Sequence, residues 1–285
     1  MEDAQPGRTA LRVAIRRAAH QLFDSPKVLD DPLAVAIIGP RPAARLRAMS
    51  TRERRNTTAR TMRAFMAVRS RFAEDELGRA LTRGARQYVV LGAGLDTFAY
   101  RNPHSPAALR VFEVDHPATQ IWKRERLAAA GIAPPPAMTF TPVDFERQTL
   151  ADGLRAAGFD RGAPTFFSWL GVTMYLTDDA IASTLAFISS TPAGGGLVFD
   201  YAVPRTSLGF IGRMALDGLM RRVAAAGEPF RTFLDPRELP ARLAGFGFRR
   251  VQDLGRDALN ARYFAGRSDG LRIRGDLGHL ASAEL

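Results

Sequence analysis

Two glycines follow directly on an apolar run, Tyr88-Val89-Val90-Leu91 leading into Gly92-Ala93-Gly94-Leu95-Asp96-Thr97. Glycines at such a point let the chain turn tightly and let a ligand approach the backbone. A second apolar run ends in Glu113-Val114-Asp115, with Asp115 21 residues beyond Gly94. An acid about 20 residues after a glycine turn is placed to accept hydrogen bonds from ribose hydroxyls. Two glycines alone describe a bare turn equally well. Strand, turn and acid in this order point to an adenosine-type ligand. A dinucleotide fingerprint asks for a third glycine where this chain has Thr97. Asp96 would also repel a pyrophosphate at the N-terminus of the helix expected near it. With Glu113, Asp115, Asp144 and Glu146 near the expected strand ends, Asp96 suits a ligand carrying ammonium and sulfonium charge. A plain helix N-cap is an equal reading of Asp96.

A second candidate is Arg69. Met62, Phe65, Met66, Phe72 and Leu77 recur at helical spacing and predict a long helix over 57–81. Arg69 lies seven residues after Met62 and shares its apolar face. A guanidinium there is costly unless an anion meets it. A structural Asp or Glu and the carboxylate of a methionine moiety, held bidentately, are equal candidates on spacing alone.

These residues need elements to position them. From Gly84 onward, strand-like runs alternate with helical stretches, which argues for a parallel sheet in a doubly wound α/β fold. The strands are expected at 88–91, 111–114, 138–143, 165–170 and 197–201. Helices are expected near Asp96 and at 118–130, 150–157 and 177–190. Asp235 to Glu238 reads as a capping box opening a helix that ends at Gly245, followed by short strands at 249–254 and 262–264. Residues 1–83 read as a helical cap, beginning with an amphipathic helix at 9–23 that keeps Arg12, Arg16 and Arg17 off its apolar stripe. Residues 204–230 read as a helical insertion covering the acceptor within a core of 84–285.

The formal net charge of +11 raises a nucleic-acid reading. The arginines are dispersed and no aromatic platform accompanies them, so no specific nucleic-acid site is expected. The absence of cysteine excludes disulfides and thiolate chemistry, and the four histidines lack metal-ligand spacing. No secretory signal or membrane-length apolar run is present, so a cytoplasmic location is expected and no membrane partner. Oligomeric state is not readable.

The motifs together resemble the leucine carboxyl methyltransferase family, in particular its bacterial O-methyltransferase branch, often linked to polyketides and other secondary metabolites. The resemblance rests on Leu91 to Thr97, Tyr100-Arg101, Phe112 to Pro117, Pro142 to Glu146, Gly171 to Thr177 and Arg262 to Arg267, and spans about 10–271. It implies a seven-stranded, mostly parallel, Rossmann-like methyltransferase sheet with an N-terminal helical cap, and S-adenosylmethionine as cofactor. It places Gly92 (with Gly94 and Asp96 in the same turn) at the methionine part, Asp115 at the ribose and Asp144 with Phe145 near the adenine. It gives Arg69 the cofactor carboxylate. The eukaryotic members carry a glutamate where this chain has Leu170, which points away from methylation of a protein C-terminus and toward a small, partly apolar acceptor.

Methyl transfer is an in-line displacement for which the protein mainly binds, aligns and desolvates. A carboxylate acceptor needs no base, whereas a hydroxyl does. Asp200 and Tyr201, at the end of the fifth strand, are the candidates for a catalytic role, and Thr173 and Tyr201 for contact with the acceptor. Ser168 and His116 also fall near strand ends. An NAD(P)-dependent oxidoreductase and a nucleic-acid-binding protein are the competing readings.

Overall fold

Strands built from Val, Phe, Leu and Tyr without polar alternation must be covered on both faces, and the computed structural model of the protein places them in that setting. It describes residues 8–145, 147–225 and 229–285. The strands are β1 (Gln87–Leu91), β2 (Arg110–Asp115), β3 (Met138–Pro142), β4 (Thr165–Trp169), β5 (Gly196–Ala202), β6 (Arg249–Leu254) and β7 (Gly278–Glu284). They form one seven-stranded sheet in the order β3-β2-β1-β4-β5-β7-β6, with β7 antiparallel to both neighbours. The order reverses between β1 and β4, the position at which such sheets open a crevice at their carboxyl ends.

Side chains alternate between the two faces. Val89, Leu91, Phe112, Val114, Phe167, Trp169, Phe199 and Tyr201 enter one core. Tyr88, Val90, Val111, Phe166 and Val198 enter the other. That second face carries the N-terminal cap: α1 (Arg8–Phe23), α2 (Ala34–Ile37), α3 (Pro40–Arg47), α4 (Thr51–Arg54) and α5 (Thr57–Thr82). The expected helices at 9–23 and 57–81 are both present. Asn56 caps α5, its side chain accepting from the Ala59 N–H at 3.0 Å. α5 crosses β4 and β5 and is buried nearly all round, Arg63, Ala64, Met66, Ala67, Val68, Arg69 and Ser70 included.

The layers are completed by α6 (Pro117–Ala129), α7 (Leu150–Ala156), α8 (Asp178–Ser189), α9 (Phe210–Ala225), α10 (Leu239–Gly245) and α11 (Arg256–Tyr263). Four local expectations are corrected. Between β1 and β2 the described chain forms one 3-10 turn, Phe98–Tyr100, rather than an α-helix near Asp96. Residues 262–264 end α11 and its cap, and the last strand is β7; its Gly-His-Leu-Ala-Ser-Ala-Glu sequence has little strand propensity and is held by pairing on both edges. The helix expected from Asp235 begins at Leu239, because Asp235 turns its carboxylate onto Arg237 at 2.6 Å instead of forming a capping box. Arg17, expected off the apolar stripe of α1, is buried, while Leu22 is exposed.

Under β2, Lys123 of α6 meets Glu113 at 2.7 Å, and both side chains are only 1% exposed. Burial lifts the Glu113 carboxyl above its usual range and the ammonium offsets part of that rise. Removing one member strands the other charge, so Lys123→Met is expected to cost about 3–5 kcal/mol. Urea denaturation checks this: Glu113→Gln combined with Lys123→Met should recover most of the loss, and additive losses would show that the two side chains are not coupled.

Candidate active site

Gly92 and Gly94 both take left-handed backbone conformations, φ +68° and +46°. The Gly92 and Ala93 amides donate to the Val114 carbonyl at 2.9 and 3.0 Å, which stitches the turn to the end of β2. A side chain at Gly92 would collide with Val172, whose Cγ2 lies 2.4 Å from the Cβ position. A side chain at Gly94 would reach Ala10 of α1 at 3.0 Å. The turn is therefore pressed between the loop after β4 and the start of the cap.

Asp115 closes the turn from below. Its two oxygens accept from the Gly94 and His116 amides at 2.6 and 2.7 Å. No cation is ion-paired to it among the described residues. Burial raises its pKa and the N–H donors offset part of the rise. The Thr119 side chain also hydrogen-bonds this carboxylate, and a lone pair left free beside these three donors is what a ligand hydroxyl would donate to. The Val143 amide donates to the Asp115 carbonyl at 2.9 Å, which sets Asp144 beside the end of β2. Asp144 is half-buried with Arg147 at 3.5 Å, and Phe145 is 62% exposed at the rim. Glu146 lies outside the described residues.

Asp96 is engaged by the protein on both oxygens, one of them in the local backbone contact that its capping reading expects. One oxygen accepts from the Phe98 amide at 2.8 Å, and the other meets Arg17 of α1 at 3.3 Å. Burial raises the Asp96 carboxyl, but the Arg17, Lys123 and Arg101 charges outweigh it and hold the group below the usual range. Its charge is thus matched by the protein. Thr97 likewise donates to Asp31 at 2.7 Å, and Arg101 is bound to Glu74 of α5. Sequence reasoning missed this network of Arg17, Asp31, Glu74 and Arg101; the one available signal was a run of arginines on α1 beside the Asp30-Asp31 pair.

At the ends of β4 and β5, Arg69 meets Asp200 at 2.8 Å, with side-chain exposures of 8% and 2%. The other Asp200 oxygen accepts from the Gly171 amide. Of the two partners open for Arg69 on spacing alone, the protein carboxylate is the one in contact. Gly171, φ +75°, leaves the space the guanidinium occupies: a Cβ there would lie 3.0 Å from Nη1 and 3.2 Å from Nη2.

The remaining candidates are not brought together. Tyr201 points to the opposite face of the sheet from Asp200, buried, with its hydroxyl donating to Asp253 at 2.7 Å. Burial, followed by Asp253, pushes that phenol well above its usual range, so it stays protonated. Thr173 is buried and donates to the Asp200 carbonyl at 2.6 Å. Ser168 accepts from Tyr88 at 2.8 Å, and His116 caps α6. Among the described residues no cluster of His, Asp and Glu is placed to hold a metal ion.

With this geometry in place, comparison with known proteins is decisive about kinship. The family model of leucine carboxyl methyltransferase matches residues 10–189. A Bacillus subtilis (strain 168) protein named "Putative S-adenosyl-L-methionine-dependent methyltransferase YktD" is 32% identical over 95% of this chain and 95% of its own length. The chain belongs to the leucine carboxyl methyltransferase family. A Mycobacterium tuberculosis (strain H37Rv) protein named in the same words is 33% identical over 69% of this chain and 60% of its own length. A solved DUF574-family structure from Streptomyces avermitilis shares the fold at TM-score 0.56 and 17% identity, covering 99% of this chain and 98% of its own. One from Thermobifida fusca does so at 0.53 and 16%, covering 99% and 96%. As a family member the protein is a methyltransferase, and the expectations of sheet and cap made from its sequence hold.

Replacing Gly171 by Ala combines a left-handed backbone with a methyl group against Arg69. Gly171→Ala is expected to cost at least about 1–2 kcal/mol from the backbone alone, and more as the guanidinium is displaced. Gly218→Ala, in open space within α9, should be neutral or stabilising. Equal denaturation midpoints for the two variants would show that Arg69 does not need the space.

Proposed function

We propose that the protein transfers the methyl group of S-adenosylmethionine to a carboxylate oxygen of a small, partly apolar acceptor. Family membership supports the methyl donor. The observation that carries the donor's placement is the convergence of the Gly92–Gly94 turn, Asp115 and the end of β3 at the point where the strand order reverses. The Asp115 carboxylate, held by the Gly94 and His116 amides and by Thr119, suits a ribose hydroxyl, and Phe145, beside Asp144, offers an apolar surface for the adenine. The residues fit an adenosine, and the cofactor when bound supplies an electrophilic methyl carbon on a sulfonium.

The rest falls to the chain: to bind, to align and to keep water out. Arg69 holds the carboxylate of the methionine moiety in this reading, sharing its fork with Asp200. Asp200 is then a positioning residue, since its oxygens are committed to Arg69 and to the Gly171 amide. This commitment, with Tyr201 and Thr173 engaged elsewhere, favours an acceptor that arrives already ionised over a hydroxyl that needs a base.

The acceptor side is formed by Leu170, half-buried at the end of β4, and by the insertion after β5. The described parts of that insertion are 204–225 and 229–230. The segment that follows is tied to the carboxyl ends, with the Arg231 amide on the Met174 carbonyl at 2.7 Å and the Leu234 amide on the Ala202 carbonyl at 3.0 Å. α9 exposes Phe210, Ile211 and Met214, surface consistent with a lid that closes on apolar substrate. Secondary metabolism is the setting that such an acceptor suggests.

Labelled S-adenosylmethionine incubated with the protein and a panel of small carboxylic acids and phenols tests this directly. Label released as methanol by mild base identifies an ester, and base-stable label would identify an ether and overturn the carboxylate assignment. Calorimetry should show binding of S-adenosylmethionine and none of NAD. Asp115→Ala should weaken that binding at least about tenfold, the loss of hydrogen bonds to a charged acceptor softened by water. Unchanged affinity would remove Asp115 from the ribose.

A further inference from the structure

A second feature lies away from this cleft. The segment between α11 and β7 and the first turn of α5 form an open hollow of about 490 Å³ whose charged lining is Arg60, Arg267, Arg272 and Arg274. No acid lines it. Arg60 precedes Arg69 by nine residues, which is two and a half helical turns. It therefore leaves α5 on the side opposite the Arg69–Asp200 pair.

The carboxylate of Asp269, next in the chain to Gly270 of the lining, is already committed. Asp269 accepts from Arg267 through both oxygens, at 2.9 and 2.6 Å, and from the Leu271 amide at 3.0 Å. Arg60 is anchored by donating to the Asp269 carbonyl at 2.6 Å. Arg272 and Arg274 have no ion pair or hydrogen bond among the described residues, and both are exposed. Their direction is fixed by their neighbours. Asn260 grips Ile273 through both its backbone groups, at 3.0 and 2.9 Å, and Leu271 and Ile273 are buried. Burial alternates residue by residue here, so Arg272 and Arg274 share the other, exposed side of the segment. Anchored guanidiniums beside two unneutralised ones form a concave site of one sign, which suits a compact multiply charged anion held by forked N–H donors. Phe264 adds an apolar wall, and Gly266, whose Cβ position is open, leaves the entrance clear.

We propose that this hollow binds a phosphate or pyrophosphate group of a small ligand, at a site separate from the methyl-transfer cleft. The chemistry is shared by a free inorganic anion and by a phosphate monoester, so the test uses both. Titration calorimetry on the full chain with pyrophosphate, inorganic phosphate and glycerol 3-phosphate should give saturable binding in the millimolar range or below for at least one of them. Tightest binding of pyrophosphate assigns the free anion, and tightest binding of glycerol 3-phosphate assigns an ester. Arg272→Ala with Arg274→Ala should weaken that binding at least about tenfold, while Arg41→Ala with Arg45→Ala, an equal change of charge at exposed arginines of α3, should leave it unchanged. Both double variants alter exposed side chains and should unfold at the wild-type temperature without ligand. Non-saturable binding, or an equal loss in both double variants, would overturn the proposal. Binding of S-adenosylmethionine should be the same in all three proteins, so failure here is distinguishable from failure of the methyltransferase assignment.

Discussion

α5 runs through the interior between the sheet and the rest of the cap, and it takes charged side chains with it. An ion removed from water without a partner costs several kcal/mol, so the docking of the cap is constrained by where counter-charges can be supplied. Arg69 finds Asp200 on β5 and Arg63 finds Asp24 through two hydrogen bonds at 3.1 and 3.0 Å. Glu74 finds Arg101 beyond the glycine turn. α1 repeats the pattern, with Arg17 reaching the Leu95 carbonyl at 2.6 Å and the Asp96 carboxylate. These pairs are directional where apolar packing is not. The Arg69, Glu74 and Arg17 pairs fix the cap in register over the carboxyl ends of β1, β4 and β5, where the proposed cofactor site lies.

The same pairs explain how the fold tolerates an incomplete crossover. A doubly wound sheet ordinarily covers its first strand with the helix that follows the glycine turn. Here one 3-10 turn stands in that place, and α1 and α5 supply the missing layer. Ala10 packs at the Cβ position of Gly94, and Tyr88, Val90 and Phe98 join the core of α5. The turn is thus shaped from the cap side by packing and held from the sheet side by Asp115.

How much of this was legible in the sequence depends on the scale of the interaction. The first five strands and both long cap helices follow from runs of apolar residues and their period, because burial on one or two faces imposes that period directly. The last strand does not, since Gly278 to Glu284 owes its conformation to partners on either edge rather than to its own residues. At the site, the placement of Asp115 against Gly94 is carried by a spacing that the topology preserves. The Arg17 partner of Asp96 and the facing of Tyr201 were not legible. Asp96 is matched by an arginine 79 residues away, and the facing of Tyr201 follows from strand parity: next to Asp200, it must enter the opposite core. The partner of Arg69 lay 131 residues downstream, beyond the reach of any local pattern.

The electrostatics around the glycine turn also differ from those of a simple acidic patch. Glu113 is matched by Lys123 and Asp96 by Arg17, so acids close together in sequence do not add into one negative field. Asp115 differs because, among the described residues, it accepts from the Gly94 and His116 amides and is hydrogen-bonded by the Thr119 side chain rather than ion-paired, so its charge is stabilised by neutral donors. Among the described residues no cation is ion-paired to Asp115, so its carboxylate stays open to the charge of a cationic ligand. Arg69 is the converse: its charge is already satisfied by Asp200, so a ligand carboxylate joining it would have to share a guanidinium. That sharing is geometrically available because a guanidinium carries five N–H donors in a planar fork, and it makes the affinity of the cleft for an anion depend on how firmly Gly171 and Asp200 hold the fork in place.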